Sequence, residues 1–413
     1  MSATAGSLAE PLVLAHTKRR LFPSDGDGYV VTDTQFSRDQ WLAGEPIDPW
    51  IRDQLAPFNR VQIGGGHPDL LGVRGLDPEF LAIERQGSTP PLIAVEAKGQ
   101  TTAGGVDTGR GIVQAYDRLN EANVAFVAVP ESAVSESDRV LARELNVGIL
   151  GVDGEGTVEP LETPRVVGNR TTTEASAIRF QASAQGVADQ SFGLNHPKNY
   201  LGYPLALYAN GSTERLLEEY RVVGATDDAR KGAAFLGLVD ENPTGPRLTG
   251  LGREVVRFAI REYGSVDAAL EEFETWYRSR QRFVDCAPRW GLLARQVLYS
   301  YPATQLLIDS LQGLHDDGVA EPSLVTLVEY LHVLRPSFTI ELFVRGTEEA
   351  RRRVLDPDGK LQSDALEDGS VFHAPTVFQL KSMLYHAGVL TDRGNEPHRL
   401  EPTTDVWALC ESL

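Results

Sequence analysis

Asp69 opens the stretch "DLLGV", Glu96 ends the apolar run "LIAVE", and Lys98 follows one residue later. Side chains two apart on a strand project from the same face, so Glu96 and Lys98 leave such a strand together. Asp69 starts a strand that intervening hairpins can bring beside them. Two carboxylates meeting at a strand end form a hard-oxygen site of the kind that suits Mg²⁺ or Mn²⁺, and the Ala97 carbonyl is a candidate third ligand. A cation held there activates water and stabilises the charge that builds on a scissile phosphate. Lys98 would hold that water, or a phosphate oxygen, as a point charge. Gln114, in "GIVQAYDRL", can orient the water or a backbone phosphate. Each residue alone has a plainer use: Glu96 and Lys98 as a strand-end ion pair, Asp69 as a turn former after Pro68, Gln114 as a solvated helix residue. The weight lies in the ordered set.

The elements that must position these residues follow from periodicity. "DPWIRDQLAPF" (48–58) places Trp50, Ile51, Leu55 and Phe58 at helical spacing. Val61 and Ile63 alternate like a strand until three glycines interrupt them, and "DLLGV" resumes the strand. "FLAIER" (80–85) is a further apolar run, and "QGSTPP" punctuates as a turn. Residues 92–97 are apolar at nearly every position, as a strand covered on both faces must be. A helix over 110–122, a strand over 124–130, a helix capped by Ser135 or Ser137 and a strand over 147–153 complete the set. Strand, helix, strand, helix, strand after an antiparallel meander predicts a mixed α/β domain over 1–165.

This arrangement resembles the PD-(D/E)xK nuclease superfamily, the restriction-endonuclease-like fold. The resemblance is carried by Pro68-Asp69, Glu96-Ala97-Lys98 and Gln114, each on the matching element, and covers roughly residues 45 to 155. It implies a mixed sheet flanked by helices and Mg²⁺-dependent hydrolysis of phosphodiester bonds, in DNA or sometimes in RNA. It implies metal ligation by Asp69, Glu96 and Ala97, with catalytic roles for Asp69, Glu96, Lys98 and Gln114. Many members carry a further acidic residue on a preceding helix; Glu45, Asp48 and Asp53 are candidates, with Asp53 inside the expected helix. His67 is read either as a metal or substrate neighbour or as an ordinary loop histidine.

The rest of the chain is expected to be mainly helical. "GAAFLGLVDENPTGPRLTGLGREVVRFA" (232–259) and "QLKSMLYHAGVLTDRGNEPHRLEPTTDVWALC" (379–410) share a pattern: an amphipathic helix, a Gly/Pro loop, Arg-Leu, then a second amphipathic stretch. That pattern resembles the end of a winged helix-turn-helix. The expected layout is therefore a linker over 166–199, winged-helix-like modules over 200–265 and 323–413, and a helical connector over 266–322. Arg230 and Lys231 lie where a recognition helix would begin and are candidates for nucleic-acid contact, although Asp227 and Asp228 beside them repel phosphate. Such modules also bind protein partners or a second copy of the chain. Lys18-Arg19-Arg20, Arg278/Arg280/Arg282 and Arg351-Arg352-Arg353 are basic clusters that could meet phosphates or simply face solvent. The Gly-rich stretch 101–111 lies between the expected catalytic strand and helix, as a loop over substrate or as a plain connector.

The formal net charge is −19, and six lysines stand against 33 arginines. Alone, that charge opposes binding to a phosphate backbone. The spread of acidic residues and the scarcity of lysine look instead like adaptation to molar salt, as in halophilic archaea, where the Debye length is ~3 Å and net charge is screened. A lysine kept beside a strand glutamate then stands out. No apolar run reaches membrane-spanning length, and the N-terminal stretch lacks the layout of a secretory signal. Cys286 and Cys410 lack the spacing of a disulfide framework or zinc site, and "GGGH" has no following Gly-Lys-Ser/Thr to make a P-loop. The expectation is a cytoplasmic Mg²⁺- or Mn²⁺-dependent nuclease acting on DNA, with RNA left open. The alternative is an inactive nuclease fold serving as a DNA- or protein-binding regulator.

Overall fold

The computed structural model describes residues 8–23, 28–41, 44–83, 90–100, 105–167, 175, 177–179, 194–209, 211–240, 245–276 and 281–411. The chain forms two units, one of Met1–Gly186 with Arg335–Gln362, the other of Val187–Leu334 with Ser363–Leu413.

The first unit is an α/β structure around a six-stranded mixed sheet in sequential order. Its strands are β1 (Gly28–Thr32), β2 (Leu70–Arg74), β3 (Leu92–Ala97), β4 (Val124–Pro130), β5 (Gly148–Val152) and β6 (Val158–Glu162). β1, β2 and β3 pair antiparallel, β3, β4 and β5 pair parallel, and β6 returns antiparallel to β5. Helices α1 (Glu10–Leu21) and α2 (Pro49–Leu55) precede β2; α3 (Thr108–Arg118) and α4 (Glu136–Leu145) make the parallel crossovers. One face of the sheet presents Ile93, Val95, Ala97, Phe126 and Ala128 to Val13 and Leu14 of α1. The other presents Ala125, Val127 and Ile149 to Ile112 and Ala115 of α3 and Ala142 of α4. Both faces are covered, which is why β3 and β4 read as unbroken apolar runs. Ser135 caps α4, in a capping box with Asp138.

Several local expectations differ. Val61 and Ile63 form no strand; Ile63 makes only an isolated bridge to Gly66. In the run 80–85, the buried Phe80 ends a 3-10 turn (Pro78–Phe80) and residues 81–83 form no strand. α1, β1 and β6 are additional to the expected elements. Ala175 and Ile178 pack into the core of the first unit, although the linker was expected to begin at 166. Residues 168–174, 176, 180–193, 84–89 and 101–104, with Arg278 and Arg280, lie outside the described residues.

Residues 335–362, expected within the last module, belong to the first unit and carry α14 (Pro336–Phe343) and α15 (Glu348–Val354). A buried cluster fixes them there. Glu341 accepts from Arg351 Nη1 at 2.9 Å, from Asn59 Nδ2 at 2.6 Å and from the Tyr29 hydroxyl. Arg351 also donates to the Tyr29 hydroxyl oxygen.

The second unit is mainly helical. α5 (Pro197–Tyr208), α6 (Thr213–Glu219) and α7 (Thr226–Phe235) are followed by a ribbon of β7 (Val239–Asp240) and β8 (Arg247–Leu248). α8 (Gly250–Tyr263), α9 (Val266–Glu274), α10 (Phe283–Cys286), α11 (Pro288–Tyr299), α12 (Pro302–Asp316) and α13 (Leu324–Leu334) come next, and α16 (Ala374–His386) closes the set. The expected helical connector over 266–322 opens with α9, which ends at Glu274. No helix among the described residues is long and apolar enough to cross a membrane.

Candidate active site

The site is built at the end of β3 where its neighbours leave the sheet. Alternation along the strand sends Val95 and Ala97 toward α1 and Glu96 toward α3, level with Val127 of β4. The antiparallel register pairs Leu70 with Val95, so the preceding residue, Asp69, stands opposite Glu96. Its Oδ2 accepts the Ala97 N–H at 2.7 Å and its Oδ1 accepts Gln35 Nε2 at 2.9 Å. Lys98 continues the parallel ladder through its N–H to the Ala128 carbonyl. Its ammonium donates to the Ala97 carbonyl at 2.7 Å and lies 3.9 Å from Glu96 Oε2 and 4.0 Å from Asp69 Oδ2. The stem of Lys98 runs beneath α3 at Gly111, where a Cβ would come within 3.0 Å of its Cγ.

Three residues at this site were not read from the sequence. Arg118, at the end of α3, donates Nε to Glu96 Oε1 at 2.8 Å and Nη1 to the Ile63 carbonyl at 2.9 Å. Gln35, in the turn after β1, supports Asp69. Glu10, the first residue of α1, accepts the Gly99 N–H and feels both Lys98 and Glu96. Gly99 makes this approach possible, because a Cβ there would run into the backbone of Ala9 and Glu10. An acidic residue before Pro11 at the head of "LVLA" is a helix-start signal, and that signal was available for Glu10.

Electrostatically the site is short of positive charge. Burial raises the pKa of Asp69 well above the carboxylate range, and Glu96 and Glu10 raise it further while Lys98 opposes them. Glu96 is raised by burial against the opposing Arg118 and Lys98, and Glu10 is raised by burial first. The Lys98 ammonium occupies the point on which three hard oxygens converge, one each from Asp69, Glu96 and Ala97. Two carboxylates and a carbonyl suit a Mg²⁺ ion that keeps several waters. Among the described residues no three histidine, cysteine or carboxylate side chains converge closely enough to hold a metal by themselves. The donor set therefore fits such an ion only with the carbonyl and water completing it.

Beside this cluster lies a cavity of about 460 Å³ lined by Asp33, Gln35, Arg38, Arg60, His67, Gln114 and Arg118, among others. Gln114 is half-buried with its Oε1 unpartnered. It lines this space but makes no contact with Asp69, Glu96 or Lys98 among those described. His67 donates from Nδ1 to the Val61 carbonyl at 3.1 Å, since a carbonyl only accepts. The three glycines before it pack on the end of α3, where Gly65 N–H donates to Asp117 Oδ2 at 2.6 Å and a Cβ on Gly66 would meet Arg118.

Other candidates fall elsewhere. Asp53 is exposed on α2 and enters no contact with the cluster among the described residues; the third carboxylate in the electrostatic set is Glu10. Lys18 is buried, with its ammonium on the Leu55 and Ala56 carbonyls, and Arg20 pairs with Asp77 and Glu79. Arg351 is spent on Glu341, and Arg352 pairs with Glu348. Arg230 and Lys231 are half-buried on α7, Arg230 3.6 Å from Asp227. Compared with known proteins, the chain matches no family model, no curated protein and no solved structure.

Proposed function

We propose that the first unit is a divalent-cation-dependent phosphodiester hydrolase acting on nucleic acid, DNA foremost, on a restriction-endonuclease-like scaffold. The observation that carries this is the convergence of Asp69 Oδ2, Glu96 Oε2 and the Ala97 carbonyl on the Lys98 ammonium. The sheet order, with three antiparallel strands feeding a parallel βαβ unit, and α1 bringing Glu10 to the strand end, supports the scaffold assignment. A Mg²⁺ or Mn²⁺ ion bound there supplies Lewis-acid charge to water and to the scissile phosphate. Asp69 and Glu96 present the oxygens, held in place by Ala97 N–H, Gln35 and Arg118. Lys98 exchanges the Ala97 carbonyl for the attacking water or a non-bridging phosphate oxygen. Gln114 donates or accepts at the same face, and Arg38 and Arg60 in the adjoining cavity take flanking phosphates. In the second unit, three helices and a short ribbon (197–248) fit a winged-helix module that positions nucleic acid, a protein partner or a second copy. Arg230 and Lys231 are its candidate contacts.

The second reading is an inactive platform. It is favoured by the Arg118–Glu96 pair, which already occupies one oxygen of Glu96. Mn²⁺ titration followed by electron paramagnetic resonance separates the two. An active site binds Mn²⁺ and loses it in Asp69→Asn and in Glu96→Gln. A platform gives the same spectrum of free Mn²⁺ with all three proteins.

A further inference from the structure

The second unit contains a cavity of about 710 Å³ that the nuclease reading does not use. It is lined by the start of α5 (Asn195, His196, Lys198, Asn199), by Trp276, by His386 at the end of α16, and by the turn carrying Arg393, Glu396 and Arg399. Its size suits a ligand of nucleotide dimensions.

The lining is rich in hydrogen-bond donors, with Glu396 its one carboxylate. His196 Nδ1 accepts the Lys198 N–H at 3.2 Å, and His386 Nδ1 accepts the Phe283 N–H at 3.2 Å. An imidazole that accepts at Nδ1 is neutral with its proton on Nε2. Both rings therefore offer an Nε2–H, and they lie 4.5 Å apart between centroids. His196 is 9% exposed, and its Nε2 has no partner, a buried donor whose desolvation is uncompensated. Burial holds His196 well below its usual pKa and His386 down at about 4, so neither ring contributes charge at neutral pH.

Charge comes from three cations against one carboxylate. Lys198 is buried and donates to Asn199 Oδ1 and the Val222 carbonyl. Arg393 lies over the Phe378 ring, donates Nε to Ser382 Oγ at 3.4 Å and reaches Glu396 with Nη2 at 3.5 Å, leaving Nη1 without a described partner. Arg399 is exposed and has no ion pair among the described residues. A net positive recess in a chain of net charge −19, with amide and imidazole donors distributed around it, matches a ligand with several anionic oxygens better than a planar carboxylate. Trp276, 7% exposed, adds an apolar wall.

We propose that this cavity binds a phosphomonoester, with the phosphate held by Lys198, Arg393, Arg399 and the histidine Nε2–H donors. Free nucleotides and the 5′-phosphate end of a nucleic-acid strand share that chemistry. The test is calorimetric titration of the full chain in molar KCl with EDTA, which keeps divalent cations away from Asp69 and Glu96. The probes are inorganic phosphate, adenosine monophosphate, and one oligonucleotide with a 5′-phosphate or a 5′-hydroxyl. Binding of the monophosphate identifies a free nucleotide as the source; binding of the 5′-phosphorylated strand alone identifies a strand end. In either case Arg399→Ala, at an exposed position where folding is preserved, weakens binding by roughly 10- to 100-fold. Arg393→Gln acts in the same direction. Absence of binding by every probe, equal binding of the 5′-hydroxyl strand, or binding indifferent to both substitutions overturns the proposal.

Discussion

Replacing Lys98 by alanine should cost stability in a way that depends on pH. The ammonium lies 3.9 Å from Glu96 Oε2 and 4.0 Å from Asp69 Oδ2, and at an effective dielectric of about 20 each attraction is worth roughly 4 kcal/mol. Returning the ammonium to water recovers several kcal/mol of desolvation, so the net loss is about 3–5 kcal/mol, as for other buried pairs that lose one partner. That loss exists only while the carboxylates are ionised. Asp69 and Glu96 have folded pKa values raised above the ordinary range, so the native state takes up protons that the unfolded chain releases. Each group's contribution to stability is therefore highest at low pH and falls as pH rises toward its folded pKa. Without Lys98 both values rise further, and the fall becomes steeper. Urea unfolding in molar KCl and EDTA, from pH 5 to 8, should show the variant close to wild type at the acid end, short by only ~1 kcal/mol for the lost stem. The full deficit should appear at the alkaline end. Mn²⁺ should then restore the variant more than it stabilises wild type, because no ammonium competes for the Ala97 carbonyl. A deficit of equal size at every pH, with no rescue by Mn²⁺, would refute the electrostatic account of the site.

Three further outcomes follow from the same geometry. Arg118→Leu removes a partner that holds the Glu96 pKa down, so the acid limb of metal binding should move to higher pH; an unmoved limb would exclude Arg118 as the group that positions Glu96. Gly99→Ala places a methyl group against the backbone that begins α1, and overpacking there should cost about 1–3 kcal/mol in urea unfolding, together with weaker Mn²⁺ binding as the strand end that presents the Ala97 carbonyl shifts. Arg351→Met leaves the Glu341 carboxylate buried without its cation, and should destabilise the first unit by ~3–5 kcal/mol. In that variant, Tyr29 and Asn59 should lose protection in hydrogen exchange together with 335–362.

What could be read from the sequence divides along physical lines. β3 and β4 were legible because burial on both faces leaves apolar residues at every position but Glu96, and α4 because Ser135 caps it. The juxtaposition of Asp69 with Glu96 was legible because antiparallel register converts a spacing of 27 residues into neighbours. α1 was harder to read because its core face is interrupted by the buried polar residues Thr17 and Lys18. Val61 and Ile63 alternate like a strand, but their backbone turns at Gly64 to fit around Asp117 and Arg118. Arg118 carried no local signal, since an arginine ending a helix is ordinarily a solvated cap. The placement of 335–362 with the first unit depends on Glu341 meeting Tyr29, more than 300 residues earlier, and no local pattern encodes such a contact.

The most direct measurement is cleavage itself. Supercoiled plasmid, single-stranded DNA and RNA are incubated with the full chain and Mg²⁺ in molar KCl, beside Lys98→Ala and Glu96→Gln. The account predicts Mg²⁺-dependent conversion of at least one substrate by wild type, abolished by EDTA and lost in both variants. A folded wild-type protein that cleaves none of the three, or cleavage that persists unchanged in both variants, would contradict it.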